Sequence, residues 1–439
     1  LQQLRAAPIV GRIWERDVLP LRLSRYQPED LDALCQNGNL VWIGSGGADP
    51  RRSRVRFLFR GEGHTYLDPL PEDLSDLAET SRAVYAFLRS EGAAFFNDLT
   101  VALDLDGPAI ERALVELVMA GLVTNDSPEA MRMIIETATP LSSGARVDAT
   151  GTGAHRPVSA FEGELAQRRA DLGLGSGHVT RLPDPARYRS AKQRVRRRLE
   201  QQMHAAAQSP SPRWIGRWTP VHRFGILGKM VSPSERAARQ ARQLLARYGV
   251  VTRASLDEEI GAWDWPMIYQ HLQRMELRGE LRRGYFVQSL PGLQFALPDV
   301  VERLRALRDG AAADARVVVM NACDPANLYG PARDGGPVDG VGHPLTLARL
   351  PSTWLVLHRG LPLLVASGTG SEILTLDGAD SGLLQHGTAA LLDHVGRIER
   401  HITTHTWNGE PILDSPGASI LEALGFRRSY PVMEWDRSV

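Results

Sequence analysis

Apolar residues recur along this chain with two different periods. Up to about residue 310 they fall mostly at helical spacing, broken by short alternating runs. Beyond about residue 315 the period shortens to two. PEDLDALCQNGNL sets Leu31, Leu34 and Leu40 on a short amphipathic stretch, and VWIG, the loop GSGGADPRRS and the alternating VRFLFR follow it. Helix, strand, polar loop and strand make the second half of a winged helix. Gly44, Gly46 and Gly47 invite comparison with a dinucleotide loop, but that motif needs a helix after the glycines, and a strand follows here. They are read as a wing tip.

The pattern repeats twice in full. LSDLAETSRAVYAFLRSEG, AAFFNDLTVAL and GPAIERALVELVMAGLV predict three helices that close on VTND. Pro108 sits in the first turn of the third, with Ile110, Leu114, Leu117 and Val118 at helical spacing. SERAARQARQLLARYG, capped at Ser234, then GVVTRASLDEEIG and WPMIYQHLQRMELRGEL predict a second trio. Ile268, Leu272 and Met275 lie at i, i+4 and i+7 of its last helix, and RRGYFVQSLPGLQFAL supplies a strand–loop–strand wing. The two-residue period then runs through VVVM, LARL, TWLVLHRG, LPLLVAS, EILTLD and HITTHTW, before a helix, PGASILEALGF, and a last strand, YPVMEW. The expected fold is α+β: tandem winged-helix units followed by a β-barrel-like module. Its divisions are a partial winged helix over 1–72, a winged helix over 73–135, a linker with a basic helix over 136–215, a winged helix over 216–312, and the β-module over 313–439.

Composition narrows the class. With 439 residues the chain exceeds one compact core, and about two to four domains are expected. No apolar run approaches the ~20 residues needed to span a bilayer, so no membrane is expected. Cys35 and Cys323 stand alone in unrelated contexts, which argues against a disulfide framework and fits a reducing cytoplasm. The chain opens on Leu1 with a unit already part-finished, as a piece of a longer protein would.

Formal net charge is zero, yet the charges are unevenly spread. Between Arg181 and Arg253 the acids are Asp184, Glu200 and Glu235, against a far larger number of basic residues. That is the pattern of one phosphate-contacting face on a neutral chain. Nearly all of these cations are arginine, since Lys occurs only at 192 and 229, and arginine suits bidentate phosphate contacts. Within the sector, Asp184-Pro185 opens an arginine-rich helix carrying Arg194, Arg196, Arg197 and Arg198, either a solvated connector or an arm that tracks phosphate. On the third helix of the later winged unit, Gln270, Gln273, Arg274 and Arg278 are candidate nucleic-acid contacts, joined by Arg282 and Arg283 where the wing begins. The same face of the earlier unit carries Glu111 and Glu116, which would repel phosphate and suit a scaffold.

Candidate chemistry is sparse. FGILGKM is the nearest string to a phosphate-binding P-loop, but Met230 follows Gly228-Lys229 and Arg223 stands where the first glycine belongs. No ATPase is expected in this chain. His401 and His405 share an i, i+4 spacing without a neighbouring carboxylate set, so they read as surface or satisfied histidines, and no metal is expected.

Several strings resemble the large helicase-related family of DNA helicases: WERDVLPLRLSRYQPEDLDALCQNGNLVWIGSG, GAAFFNDL with AGLVTND, RRGYFVQSLPGLQFA, and the ACDPANLYG turn at Ala322–Gly330. The resemblance runs along nearly the whole chain and is weakest over 136–215. It implies the C-terminal region of such a protein, with an ATP- and magnesium-dependent motor elsewhere. It also implies self-association as a homotetramer, single-stranded DNA as partner, and a C-terminal part similar to winged-helix DNA glycosylases active in repair. Base excision needs a carboxylate beside the sugar of a flipped nucleotide. Asp324, in the DPANLYG turn, and Asp436, beside Trp435, are the candidates, Asp324 also being suited to cap its turn. Trp435 and Tyr430 could wall the flipped base. The Gln-x-Gln or Gln-x-Asp string of those glycosylases does not occur. Three readings follow: a DNA-binding and assembly platform behind a helicase motor, a DNA glycosylase that removes uracil, and, more weakly, a transcription regulator.

Overall fold

The computed structural model describes residues 1–46, 53–136, 214–287, 290–310, 316–330, 347–376 and 380–437. Three winged units precede a C-terminal module. In each unit the sheet has three antiparallel strands, with the last strand in the middle.

In the first unit β1 (Ile9–Val10) leads through tight turns over 11–18 into α1 (Leu19–Arg22) and then α2 (Pro28–Gln36). Strands β2 (Leu40–Ser45) and β3 (Arg54–Phe59) complete a sheet of order β1-β3-β2. Pro28 begins α2, where its missing N–H costs nothing. Trp14 is fully enclosed, donates its indole N–H to the Val55 carbonyl at 2.9 Å, and meets Phe57 edge-on. A short α3 (Gly63–Tyr66) follows.

The second unit comprises α4 (Glu79–Glu91), β4 (Ala94–Phe95), α5 (Phe96–Leu103), α6 (Gly107–Met119) and β5 (Val123–Asn125), followed by α7 (Pro128–Glu136). Asp106 caps α6 by accepting from the Ala109 N–H at 2.8 Å, and Pro108 holds the first turn. The central strand of this sheet is β6 (Arg217–Pro220), in the order β4-β6-β5. Grouping residue 217 onward with the later unit, as the sequence divides it, is therefore corrected. β6 closes the second unit's sheet through Trp218, which pairs with Ala94 on one side and Asn125 on the other.

The third unit runs from α8 (Phe224–Leu227) and α9 (Pro233–Tyr248) through β7 (Val250–Val251) to α10 (Trp265–Leu277). Strands β8 (Arg282–Gly284) and β9 (Gln294–Ala296) give the order β7-β9-β8, and α11 (Pro298–Arg308) follows. Ile268, Leu272 and Met275 are buried together with Leu244, Leu245 and Phe295, as their spacing requires. The cap of α9 is Ser232 rather than Ser234. The Ser232 hydroxyl accepts from the Glu235 N–H at 3.2 Å, because Pro233 takes the first helical position.

The C-terminal module holds β10 (Val317–Asn321), β11 (Trp354–His358), β12 (Leu361–Ser367), β13 (Glu372–Thr375), α12 (Ser381–Val395), β14 (His401–Thr404), β15 (Thr406–Trp407), β16 (Glu410–Pro411), α13 (Gly417–Ala423), β17 (Arg427–Ser429) and β18 (Val432–Asp436). One sheet has the order β10-β11-β12-β13-β15-β16, antiparallel but for β13 with β15, and a second has β14-β18-β17. Both sheets are open, and among the described residues no barrel closes. LARL at 347–350 forms no strand. HITTHTW divides at His405 between the two sheets, so one alternating string serves two cores. Helix α12 lies on the larger sheet so closely that a Cβ on Gly387 would stand 2.5 Å from Leu363.

Glycine 44 is not at the wing tip, which lies outside the described residues. It sits inside β2, where an added Cβ would meet the Val118 carbonyl oxygen of α6 at 2.7 Å. That contact is with backbone and cannot swing aside. Gly44→Ala is expected to destabilise the chain by about 1–3 kcal/mol, measured by denaturant unfolding.

Candidate nucleic-acid interface and carboxylate site

The helix that a winged unit can lay in a groove is α10 in the third unit. Asp264 caps it, and the buried stripe described above turns its other side outward. Gln270, Arg274 and Arg278 are exposed on that side, and Gln273 is half-buried. Arg278 pairs with Glu280 at 2.5 Å, Arg283 with Glu276 at 2.9 Å, and Arg282 with Glu302 at 2.8 Å. Exposed pairs of this kind contribute about 0–1 kcal/mol each, so a phosphate can draw these arginines off their carboxylates at small cost. His271, beside them, has its pKa lowered from the ordinary histidine value by burial and by Arg242, Arg278 and Arg274.

The corresponding face in the second unit is spent on packing. Glu116 accepts from the Ala78 N–H at 3.2 Å and from the Ser81 hydroxyl, at the start of α4, and Glu111 accepts from the Trp214 indole at 2.6 Å. The basic stretch carrying Arg194, Arg196, Arg197 and Arg198, with the linker around it, lies outside the described residues.

The two candidate carboxylates have opposite environments. Asp324 is fully enclosed. One oxygen accepts from Arg22 Nη2 and the other from Arg22 Nη1, both at 2.7 Å, and the first also accepts from the Ala326 N–H at 2.8 Å. It caps its turn and ties the first unit to the C-terminal module. As a catalytic candidate it is corrected, because neither oxygen is open to a substrate.

Asp436 is exposed, at the end of β18. The register sets it directly across from His401 on β14, and Thr403 across from Glu434. His401 Nδ1 lies 2.8 Å from the Asp436 carboxylate, and Nε2 lies 3.0 Å from the Thr403 hydroxyl. Protonated, the ring donates to both. The bond to Asp436 and the charges of Asp436 and Glu434 raise the His401 pKa above its ordinary value. Gly368, Thr369, Ser371, Glu399 and His405 border an open cleft beside His401. Sequence reasoning found Asp436 but missed His401 and Thr403 as its partners, because strand register is not written in either string alone.

The expected aromatic walls do not form around Asp436. Trp435 points to the opposite face of β18, stacked against Gly396 and Gly425 in the core. Tyr430 is at the far end of the hairpin, about 20 Å away along the strand by the usual rise. Among the described residues no group of three or more His, Cys, Asp or Glu could hold a metal, and no helix is long and apolar enough to cross a membrane.

Two family models described as "Large helicase-related protein, winged-helix domain" match residues 1–60 and 230–316, the first and third units of this fold. The chain belongs to the large helicase-related family, and corresponds to its C-terminal region. It is 30% identical to the "Lhr helicase/ probable uracil glycosylase" of Mycolicibacterium smegmatis over 94% of its own length and 24% of that protein. It is 24% identical to the "Lhr helicase/uracil glycosylase" of Escherichia coli over 99% of its own length and 26% of that protein. The chain thus spans about a quarter of the length of the curated relatives it matches.

The pair of Asp436 and His401 makes a testable electrostatic statement. A raised histidine pKa means the pair stabilises the fold fully below the ordinary histidine value and loses that contribution as pH rises through the folded-state value. Asp436→Asn is expected to move the His401 titration midpoint, followed by NMR, downward toward the ordinary value; an unmoved midpoint would show that the carboxylate does not hold the ring.

Proposed function

We propose that this chain is the DNA-holding and self-associating region of an ATP-driven DNA helicase that acts in repair. The observation that carries the reading is the outward face of α10 with the neighbouring wing, where Arg274, Arg278, Arg282 and Arg283 project from a rigid helix and strand. Arg278 and Arg282 are paired with exposed carboxylates and Arg283 with the half-buried Glu276, partners that phosphate can displace. The bound strand is single, as expected behind a translocating motor. ATP and magnesium serve that motor elsewhere in the parent protein. The assembly is a homotetramer in the cytoplasm, testable by light scattering of the purified chain, where a monomer at micromolar concentration would overturn it. Single-strand affinity should fall steeply with salt through counterion release. Removing Arg274 and Arg282 together, each to Gln, is expected to lower affinity across all sequences and reduce the salt slope by about 1 per lost phosphate contact. An unchanged slope would mean that this face does not meet phosphate.

A second reading has its own observation: the solvent-facing carboxylate of Asp436, held by His401 and Thr403 beside an open cleft. The relatives from M. smegmatis and E. coli carry uracil glycosylase in their printed names. In that reaction the bond from the sugar C1′ to the base breaks, water adds its oxygen to C1′, and the departing base takes a proton. Asp436 would stabilise the developing positive charge on the sugar and orient the water, with the His401 ring fixing the carboxylate's position. The chain without ATP is expected to leave abasic sites in uracil-containing single strands. Asp436→Ala should abolish this while leaving DNA binding intact. Full excision by that variant would remove Asp436 from the mechanism.

A further inference from the structure

We propose that Tyr285, at the base of the third unit's wing, is a stacking platform for an unpaired nucleic-acid base. The inference rests on the DNA-holding reading above and adds to it a site of different chemistry. Tyr285 is 80% exposed. Among the described residues its ring stacks on no other, and its hydroxyl makes no hydrogen bond. An aromatic ring left in water forgoes the burial that usually justifies its presence. Its neighbours along the wing behave in the opposite way. Phe286, Val287 and Leu290 pack with Val250, Ala296, Val300, Val301 and Leu304 against α11. The wing therefore has an apolar side that is used, and Tyr285 is not on it.

The backbone that carries the ring is fixed by a buried amide. Gln294, 1% exposed, accepts from the Phe286 N–H at 2.7 Å and the Val287 N–H at 2.9 Å. It donates to the Val287 carbonyl at 2.7 Å and the Leu290 carbonyl at 3.0 Å. Both lone pairs and both N–H groups of one side chain are thus spent on the loop that begins just after Tyr285. A wing held this way presents its ring in a preset direction, and little freedom remains to be lost when something stacks on it.

Charge selects the occupant. Arg282 and Arg283 lie three and two residues before Tyr285, and Arg274 and Arg278 stand on and just after the helix to which Arg283 is tied through Glu276. A ring for a base with guanidinium groups for flanking phosphates is the combination that holds a single strand without sequence preference. In a duplex each base face is already covered by its neighbours, so the ring would have nothing to stack on.

The test uses the full chain and oligonucleotides of mixed sequence, one set with 2-aminopurine at successive positions. Tyr285→Ala is expected to weaken single-strand binding about 5- to 150-fold, the range for losing one stacked base, with duplex affinity and salt slope unchanged. Tyr285→Trp should keep the affinity, and 2-aminopurine quenching at one position should vanish in the alanine variant alone. Unfolding midpoints should match, since an exposed ring supports little of the fold. Wild-type affinity and quenching in Tyr285→Ala would overturn the platform. So would a smaller assembly size with DNA affinity intact, which would make the ring a protein contact. If the unaltered chain binds no single strand, the DNA-holding reading fails as well; if it binds and Tyr285→Ala is indifferent, the platform alone fails.

Discussion

A carboxylate with no access to water must be given a permanent counter-charge, and Asp324 receives its own from another part of the chain. The guanidinium of Arg22, at the end of α1 in the first winged unit, clasps both oxygens. Neither unit can leave the other without stranding a buried charge, a loss that typically costs several kcal/mol. A second tie lies beside it. Asp17, nearly buried, is shared by Arg16 and by His394 of α12, while Arg16 also covers the face of Trp354. The third winged unit is fastened to the first in the same manner: Arg247 of α9 meets the enclosed Glu259 and donates to the Arg5 carbonyl, and Gln243 donates to the carbonyls of Gln2 and Gln3. Polar ties of this kind fix geometry more than they add stability. The units are parts of one body rather than beads on a string.

That fixed geometry separates two kinds of surface. Where α10 and the wing of the third unit face outward, arginines stand on exposed partners that exchange readily. On the β14-β18-β17 sheet, the outward face carries His401, Thr403, Glu434 and Asp436, and the inward face carries Ile402, Met433 and Trp435. Alternation along a strand does the sorting: every second residue is committed to the core and the remainder is left for chemistry. This is why Trp435 could not serve as a wall for its neighbour Asp436.

What the sequence revealed followed what is local in physics. Helix spacing, proline at first turns and the strand–loop–strand pattern located the winged units, because those signals act within a few residues. The stripe of Ile268, Leu272 and Met275 reads directly as a buried face. Helix α12 was not singled out, because its apolar residues are interrupted by glycine and histidine; only the sheet beneath shows that Gly387 is there for close approach. Gly44 was read as turn chemistry, since contact with α6 joins residues far apart in sequence. For the same reason Asp436 was legible as a carboxylate near an anchored strand, but its partnership with His401 required the register. Gln294 carried no signal at all in the string, since a buried amide and an exposed one are written with the same letter.

The strand that completes the second winged unit has a topological consequence. β5 ends at Asn125 and β6 begins at Arg217, yet the two are paired side by side, so the chain leaves this sheet and returns to it, with α7 tied to the first unit through Arg132 and Glu15 on the way out. Severing the backbone between α7 and β6 would leave two pieces that are still joined by the pairing of β6 with β4 and β5 and by the enclosed Trp218. The chain would then persist as a complementing pair of fragments.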